Sequence, residues 1–264
     1  MAVLNTTPDS FSDGGRFPDN GSVARRIDTL IAEGADLIDI GGESTRPGST
    51  AVDAATQIER TSFAVAHAVA RGKLVSIDTT LPPVARHALS LGASIVNDVS
   101  CLADPELARV AHAGSAELIV MHSRGSMAAM AGFSSHPRSA YVDVVSDVRR
   151  ELSDAAERAV AVGLPRDALF FDPGLGFHKS AECSYELLAG LDRLLELGPL
   201  VVGASRKSFL ERDVTAPPTE RLGGTIAACL IAQARGAQIV RVHDVRAVRQ
   251  AFAVTAAVAE ARHA

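Results

Sequence analysis

Eight short apolar runs, each ending in a polar or glycine-rich turn, recur along the chain. For example, residues 169–171 lead into Asp172, and residues 75–77 lead into Asp78. The other runs end at Asn5, Gly41, Asn97, His122, Ser205 and Arg241. Because short continuous apolar runs are typical of buried parallel strands, this repetition indicates a parallel sheet whose outer face is covered.

The segments between these runs read as helices. Val23, Ile27 and Leu30 repeat at helical spacing before Gly34, a residue type that often ends a helix in the left-handed conformation. Glycines that could end later helices in the same way are Gly72, Gly92, Gly114, Gly163, Gly198 and Gly236. Shared among eight strand-and-helix units, 264 residues give 33 residues per unit. We therefore predict an α/β fold, a (β/α)8 TIM barrel that forms a single domain over residues 1–264.

The composition supports one large packed domain and disfavours some classes of partner. Hydrophobic residues make up 47% of the chain, which is enough to fill a sizeable core. The net charge of -5 offers no broad basic surface, so nucleic acid is not expected as the main partner. No stretch approaches the roughly 20 apolar residues of a membrane span, and Met1 leaves no room for a signal peptide before the first strand. We expect a cytoplasmic protein with three reduced cysteines.

Seven short motifs, each at the end of a predicted strand, are distributed over nearly the whole chain. They are NTTPDSFSDGG at residues 5–15, GGESTRPG at 41–48, SIDT at 76–79, ND at 97–98, DPGLGF at 172–177, SRKSFL at 205–210 and RVHDV at 241–245. Any one of them is a weak signal, but seven in one order make chance agreement implausible. Together they resemble the motif set of the dihydropteroate synthase family.

The resemblance implies a transferase of folate biosynthesis. Its expected reaction condenses 6-hydroxymethyl-7,8-dihydropterin diphosphate with 4-aminobenzoate, giving 7,8-dihydropteroate and pyrophosphate. The implied mechanism is dissociative, so that pyrophosphate leaves before the neutral arylamine attacks. The expected partners are therefore small-molecule substrates.

The candidate pterin residues suit a flat heterocycle whose polar edge must be paired when buried. An ionised carboxylate such as Asp172 accepts two parallel hydrogen bonds, while Asn97 both donates and accepts. The resemblance places six residues around the pterin: Asp78, Asn97, Met121, Asp172, Lys207 and Arg241. Two further acidic residues, Asp98 and Asp244, are interpreted as caps.

The diphosphate carries negative charge that needs cations and oriented donors when it departs. The resemblance assigns Asn5, Thr45, Arg241 and His243 to diphosphate binding. It also assigns Asn5 to Mg²⁺, the one cofactor we expect. Arg241 and His243 follow the eighth strand, where barrels recurrently bind phosphate.

Two loops, over residues 6–20 and 41–52, are longer and richer in Gly, Ser and Pro than a minimal connection requires. We expect them to be mobile and to assemble a second-substrate site that excludes water. The resemblance places six residues around 4-aminobenzoate: Phe11, Thr45, Arg46, Pro47, Phe177 and Ser205. It gives roles in catalysis to Lys207, Arg241, His243, Asp78, Phe11 and Asp13.

Other functions stay open at this point. A metal-dependent hydrolase barrel would use His122, Asp172 and His243, although residues 5–7 lack the His-x-His pair usual in such barrels. A Schiff-base aldolase would use Lys207 as its nucleophile. A pterin-binding methyltransferase or a noncatalytic pterin-binding relative would share the pterin pocket.

Two further expectations concern the surface. The resemblance implies a homodimer formed through outer helices, and the alanine-rich residues 226–234 and 251–259 would permit close helix packing. His136 and His178 lie in predicted loops, where we expect both side chains to be exposed to solvent.

Overall fold

The computed structural model describes residues 1–7, 19–44, 51–125, 130 and 132–261. Within these residues, strands and helices alternate along the chain as predicted. The strands are β1 (Ala2–Asn5), β2 (Leu37–Gly41), β3 (Leu74–Asp78), β4 (Ile95–Asp98), β5 (Glu117–Met121), β6 (Leu169–Asp172), β7 (Val201–Val202) and β8 (Ile239–Val240). The α-helices are α1 (Asn20–Ala32), α2 (Ala54–Ala70), α3 (Pro82–Ser90), α4 (Glu106–Ala113), α5 (Val144–Ala161), α6 (Ala181–Ala189), α7 (Leu222–Ala234) and α8 (Val245–Ala261).

The strands close into a parallel barrel. Strands β1 to β6 pair in chain order, and β7 pairs with β8. Two parallel bridges join these groups: Phe171 pairs with Leu200 beside β7, and Ala2 pairs with Val242 beside β8. The (β/α)8 barrel predicted from the alternation is confirmed.

Apolar side chains fill two separate regions of the barrel. One set lies inside it at the amino-terminal end of the strands and consists of Leu37, Ile95, Ile119 and Val201. Their neighbours along the strands, such as Ile38 and Val96, point outwards and pack in the core between sheet and helices. Because successive side chains of a strand alternate between the two faces, strands buried on both faces read as continuous apolar runs.

The barrel interior changes from apolar to charged along the strands. On β2, Leu37 belongs to the apolar interior set, and Asp39 lies two residues further on the same face, fully buried. Asp39 accepts hydrogen bonds from Asn97 of β4 and from Arg241, which directly follows β8. The carboxyl-terminal end of the barrel therefore holds the charged groups.

The predicted helix ends are largely as expected. Gly34 has a φ of +92°, the left-handed conformation that suits glycine. The interpretation of Gly114 as a left-handed helix end is wrong, since its φ is -86° and Ser115 takes the positive φ of +52° instead. Gly114 is needed for space, because a Cβ there would lie 2.6 Å from Leu89 Cδ1.

Candidate active site

Most of the described candidate residues stand at the carboxyl ends of the strands. Asn5, Asp78, Met121 and Asp172 are the last residues of β1, β3, β5 and β6. A Cβ built on Gly41, the last residue of β2, would lie 3.5 Å from both Asn5 Oδ1 and Asp78 Cβ. The parallel register thus brings residues that are distant in sequence to one mouth.

Gly203 marks the opposite side of the same mouth. A Cβ at this position would lie 3.6 Å from Asp172 Oδ2, 3.7 Å from Lys207 Nζ and 3.9 Å from Arg241 Cβ. These three candidates, which follow β6, β7 and β8, therefore surround one point. As a glycine, residue 203 places no side chain between them.

Arg241 is the centre of a buried charge cluster. Its Nε donates to Asp39 Oδ2 at 2.6 Å, and its Nη2 donates to Asp78 Oδ2 at 2.9 Å. Burial and the neighbouring charge of Asp39 raise the pKa of Asp78 to about 7, although Arg241 opposes them. Asp78 is therefore able to exist with or without a proton near neutral pH.

Asp172 and Lys207 are two further charged residues of the mouth. Asp172 Oδ1 accepts from the backbone N–H of Gly174 at 2.7 Å, and Lys207 Nζ donates to the carbonyl of Leu175 at 2.7 Å. Burial raises the pKa of the Asp172 carboxyl and lowers the pKa of Lys207 to about 7, while each charge favours the other. Both groups gain from a ligand that offers a donor to the carboxylate and an acceptor to the ammonium.

Ser205 and His243 contact each other after β7 and β8. Ser205 Oγ lies 3.0 Å from His243 Nδ1, and the backbone N–H of His243 donates to Ser205 Oγ at 3.2 Å. The Arg206 guanidinium pairs with Asp244 beside them, with Nη2 donating at 2.6 Å. Asp244 is thus an ion-pair partner, whereas Asp98 caps its turn by accepting from the N–H groups of Ser100 and Leu102.

An apolar wall adjoins these charges. Met121 and Phe177 are buried together with Val99 and Met130. Lys207 Nζ lies 4.4 Å from the centre of the Phe177 ring, close enough for a cation–π contact. Phe133 packs edge-on against Phe177 at 5.1 Å. Sequence reasoning missed Met130 and Phe133, because no periodic pattern between β5 and α5 indicates that they pack against Phe177.

Five predicted site residues lie outside the described residues. They are Phe11, Asp13, Thr45, Arg46 and Pro47. Their roles stay predictions.

Sequence reasoning also missed two charged residues with unusual surroundings. Asp39 interrupts the apolar run of β2, and a carboxylate at an inward position is a signal that could have identified it. Lys179 follows the DPGLGF motif, and its side chain is fully buried. Its Nζ contacts the carbonyls of Gly174 and Phe177 at 3.0 Å each and His122 Nδ1 at 2.9 Å.

The histidine expectations need correction. His178, expected to be exposed, is buried, and its Nδ1 lies 2.9 Å from Ser123 Oγ. His122 uses both ring nitrogens within the protein, with Nδ1 at Lys179 and Nε2 at 2.9 Å from Glu151 Oε2. Because neither nitrogen of His122 is left for a metal ion, the metal-dependent hydrolase alternative is not supported.

The fold and the site together define a (β/α)8 barrel of the enzyme type, with charged side chains gathered at the carboxyl ends of its strands. The family model described as "Pterin binding enzyme" matches residues 1–243. A dihydropteroate synthase from Synechocystis is 43% identical over 256 residues, covering 95% of this chain and 86% of that protein. The chain belongs to the dihydropteroate synthase family, whose members are transferases.

Solved structures agree with this family. A Xanthomonas albilineans dihydropteroate synthase with 4-aminobenzoic acid is 40% identical, with a TM-score of 0.88 over 98% of this chain and 92% of that one. The enzyme from the same organism in complex with 7,8-dihydropteroate is 36% identical, with a TM-score of 0.84 over 98% of this chain and 92% of that one. In the part of this chain that the structure describes, no helix is long and apolar enough to cross a membrane.

Proposed function

We propose that this chain joins 6-hydroxymethyl-7,8-dihydropterin diphosphate to 4-aminobenzoate, releasing pyrophosphate and forming 7,8-dihydropteroate. The observation that carries the proposal is the placement of Asp172, Lys207 and Arg241 around the space beside Gly203. A carboxylate and two cations at the mouth of a barrel suit a substrate that has a polar heterocycle at one end and phosphate at the other.

The pterin lies in the pocket between the Arg241 cluster and the side chains of Asp172 and Lys207. Asp172 accepts from the amino group and an adjacent ring N–H, while Lys207 donates to a ring acceptor. Asn97, whose amide donates to Asp39 at 3.3 Å, presents its other polar atoms to the ring edge. Met121, buried beside Val99 and Met130, supplies an apolar wall beneath the ring.

Arg241 binds the diphosphate through its positively charged guanidinium, and His243 binds it through an imidazole N–H donor. Arg241 is held by Asp39 and Asp78, so that its guanidinium is oriented before the substrate arrives. Such preorganised donors stabilise the negative charge that develops on the leaving group. The predicted contribution of Thr45 would add a hydroxyl donor to the same phosphate groups.

A Mg²⁺ ion would assist the departure of the diphosphate by neutralising part of its charge. Among the described residues, no group of three or more His, Cys, Asp or Glu side chains forms a metal cage. The donors fit an ion that takes most of its ligands from diphosphate and water, which is the usual state of Mg²⁺ at phosphate sites. Asn5, next to Asp78 across Gly41, would provide one amide oxygen to it.

The bond between the pterin methylene and the diphosphate oxygen breaks first, and both electrons leave with pyrophosphate. The amine of 4-aminobenzoate then attacks the electron-poor methylene carbon and loses a proton, for which no strong base is needed. Phe177 and Ser205 form the described part of the second-substrate site. Phe11, Asp13, Thr45, Arg46 and Pro47 would complete and close it, which would keep water from the reactive carbon.

Pyrophosphate release in the presence of both substrates tests the proposal. We expect release that stops when either substrate is omitted. Asp172→Asn and Lys207→Ala should each weaken pterin binding by about 1.5 to 3 kcal/mol, because each removes a charge-assisted hydrogen bond. Lys73→Ala, at the far end of β3, is the matched control. Wild-type affinity in both folded site variants would reject the pocket.

We also propose a homodimer. Ile231 of α7 and Val254 and Val258 of α8 are 44%, 60% and 55% exposed, so these helices carry apolar groups that a partner would cover. The expected mass in light scattering at micromolar protein is that of a dimer, and a Val254→Glu, Val258→Glu variant should be a monomer. A monomeric wild type would contradict the proposal.

A cytoplasmic location is proposed as well. Its support is the state of the cysteines, since Cys101, Cys183 and Cys229 are all free thiols. Unpaired cysteines are usual in a reducing compartment.

A further inference from the structure

Lys179 lies in the loop between β6 and α6 and is fully buried. Its ammonium contacts the carbonyls of Gly174 and Phe177 at 3.0 Å, and it lies 3.4 Å from the carbonyl of His122. Gly174 is near the start of this loop and Phe177 near its end. One ammonium therefore joins both halves of the loop to the end of β5.

The loop needs contacts that fix its conformation, because its backbone turns sharply. Gly174, Gly176 and His178 all have positive φ values, of +64°, +80° and +47°. The left-handed conformation is costly for a residue with a side chain, such as His178, and it persists only where surrounding contacts fix it. The buried ammonium supplies such contacts by donating hydrogen bonds to the carbonyls of Gly174 and Phe177.

The same loop contacts two charged residues at the carboxyl-terminal end of the barrel, Asp172 and Lys207. Its Gly174 N–H donates to Asp172, and its Leu175 carbonyl accepts from Lys207. Phe177, on the same loop, places its ring 4.4 Å from Lys207 Nζ. A shift of this loop would therefore displace the acceptor that orients Lys207 and the ring that borders the second substrate.

His122 and Glu151 form a chain of contacts that orients the ammonium of Lys179. His122 Nδ1 faces Lys179 at 2.9 Å, and His122 Nε2 faces Glu151 at 2.9 Å. If Nε2 carries the ring proton, Nδ1 is the acceptor that the ammonium needs. Arg124 also donates to Glu151, with Nε at 3.0 Å, which fixes the carboxylate. Burial and the positive charge of Lys179 lower the pKa of His122 to about 4, in agreement with a neutral ring.

We propose that Lys179, oriented by His122 and Glu151, is a positioning residue that holds the loop after β6 so that Asp172, Lys207 and Phe177 face the substrates. It acts through these residues and does not itself touch the substrates. The proposal rests on the proposed function for the identity of the substrates.

The test is a double-mutant cycle on pterin binding. Lys179→Met keeps the aliphatic stem and removes the ammonium. We expect it to weaken the binding of 6-hydroxymethyl-7,8-dihydropterin by about tenfold in calorimetry and to lower kcat by about tenfold to a hundredfold. In a Lys207→Ala background, the same substitution should weaken pterin binding by less than about threefold, since residues that act together are not additive. Lys73→Met, at the opposite end of the barrel, should change neither quantity.

Two results from the Lys179→Met variants would overturn the proposal. The first is wild-type kcat and pterin affinity in a folded Lys179→Met variant. The second is an equal loss of affinity in both backgrounds, which would mean that Lys179 does not act on the pterin through Lys207. Failure of the wild type to release pyrophosphate would instead reject the proposed function, and the binding cycle would still report on Lys179.

A second variant covers the case in which Lys179→Met does not fold. His122→Phe keeps the ring volume and the ammonium but removes the imidazole acceptor. We expect a lower kcat in the folded His122→Phe protein and the same non-additivity with Lys207→Ala. Wild-type kcat in this variant would overturn the proposal.

Discussion

At the scale of single residues, the site depends on charges that the protein has desolvated. Asp78 and Lys207 both have a pKa moved to about 7, the carboxyl upwards and the ammonium downwards, chiefly by burial. Such shifts disfavour the charged forms in the free protein, and a ligand with complementary groups relieves that cost. We therefore expect these residues to contribute to ligand binding more than to stability.

Arg241→Ala and His243→Ala test whether these two residues bind the diphosphate part of the substrate rather than the pterin part. Each should weaken binding of the pterin diphosphate much more than binding of the free hydroxymethyl pterin, because only the former carries phosphate charge. Calorimetry with both ligands measures the two losses. Removal of Mg²⁺ by a chelator should reproduce part of the effect. Equal losses for both ligands would contradict the assignment of these residues to the diphosphate.

The pH dependence of stability tests the buried state of Lys179. Burial, together with the charge of Lys207, lowers the pKa of Lys179 from 10.5 to about 7, against the opposing effect of Asp172. Between these two values the unfolded chain binds more protons at this lysine than the folded chain does. The contribution of Lys179 to the free energy of unfolding therefore rises with pH from about 7 to 10.5.

The measurement compares wild type with Lys179→Met in denaturant unfolding at about pH 7 and about pH 9.5. The wild type should gain stability relative to the variant at the higher pH. Lys73→Met, at a half-buried lysine that precedes β3, is the control for loss of a lysine outside this loop. A constant difference between wild type and Lys179→Met would show that Lys179 titrates normally.

At the scale of elements, the first glycine of the DPGLGF motif is required by the packing of the loop, independently of the chemistry of the site. Its Asp172 ends β6, and its first glycine, Gly174, has a φ of +64°. A Cβ on Gly174 would lie 2.1 Å from the carbonyl oxygen of His122, closer than any contact allows. The loop after β6 therefore packs directly on the end of β5, and only glycine fits there.

Gly174→Ala should consequently destabilise the protein more than the backbone conformation alone explains. Gly72→Ala is the matched control, because Gly72 has a similar φ of +71° with nothing within 4 Å of its added Cβ. We expect about 1 to 2 kcal/mol for the control and a larger loss for Gly174→Ala, both from denaturant unfolding. Similar losses in the two variants would show that the contact with His122 relaxes easily.

At the scale of the whole molecule, the two substrates are expected to bind in order. Phe177 and Ser205, the described residues among those proposed for the second substrate, are only part of the predicted set. Phe11, Thr45 and Pro47 belong to long Gly- and Pro-rich loops, which bound pterin and diphosphate are expected to close. Ligands that order such loops remove an entropic cost from the second ligand.

Titration of 4-aminobenzoate into the free protein should therefore give little affinity. Addition of a pterin, pyrophosphate and Mg²⁺ should make the binding measurable. Phe11→Ala should reduce turnover while leaving the affinity for the pterin diphosphate within a few-fold. Tight binding of 4-aminobenzoate to the free protein would contradict the order, and normal turnover of Phe11→Ala would remove the first loop from the mechanism.

The sequence by itself determined the barrel and the strand ends that carry the site. Short apolar runs such as residues 169–171, repeated between helical patterns, indicate strands buried on both faces. The polar residue that ends each such run then lies at one rim of the barrel. Asp78, Asn97 and Asp172 could be identified in this way because strand period and chain direction are local properties.

Only the tertiary structure decided which charges contact each other. Arg241 pairs with Asp39, 202 positions away in sequence, and Lys179 meets His122 across two strand ends. Such partners depend on closure of the barrel and on the path of the loops, neither of which leaves a periodic signal in the sequence. The pKa shifts follow from the same enclosure, because desolvation is a property of the assembled site and of no single segment.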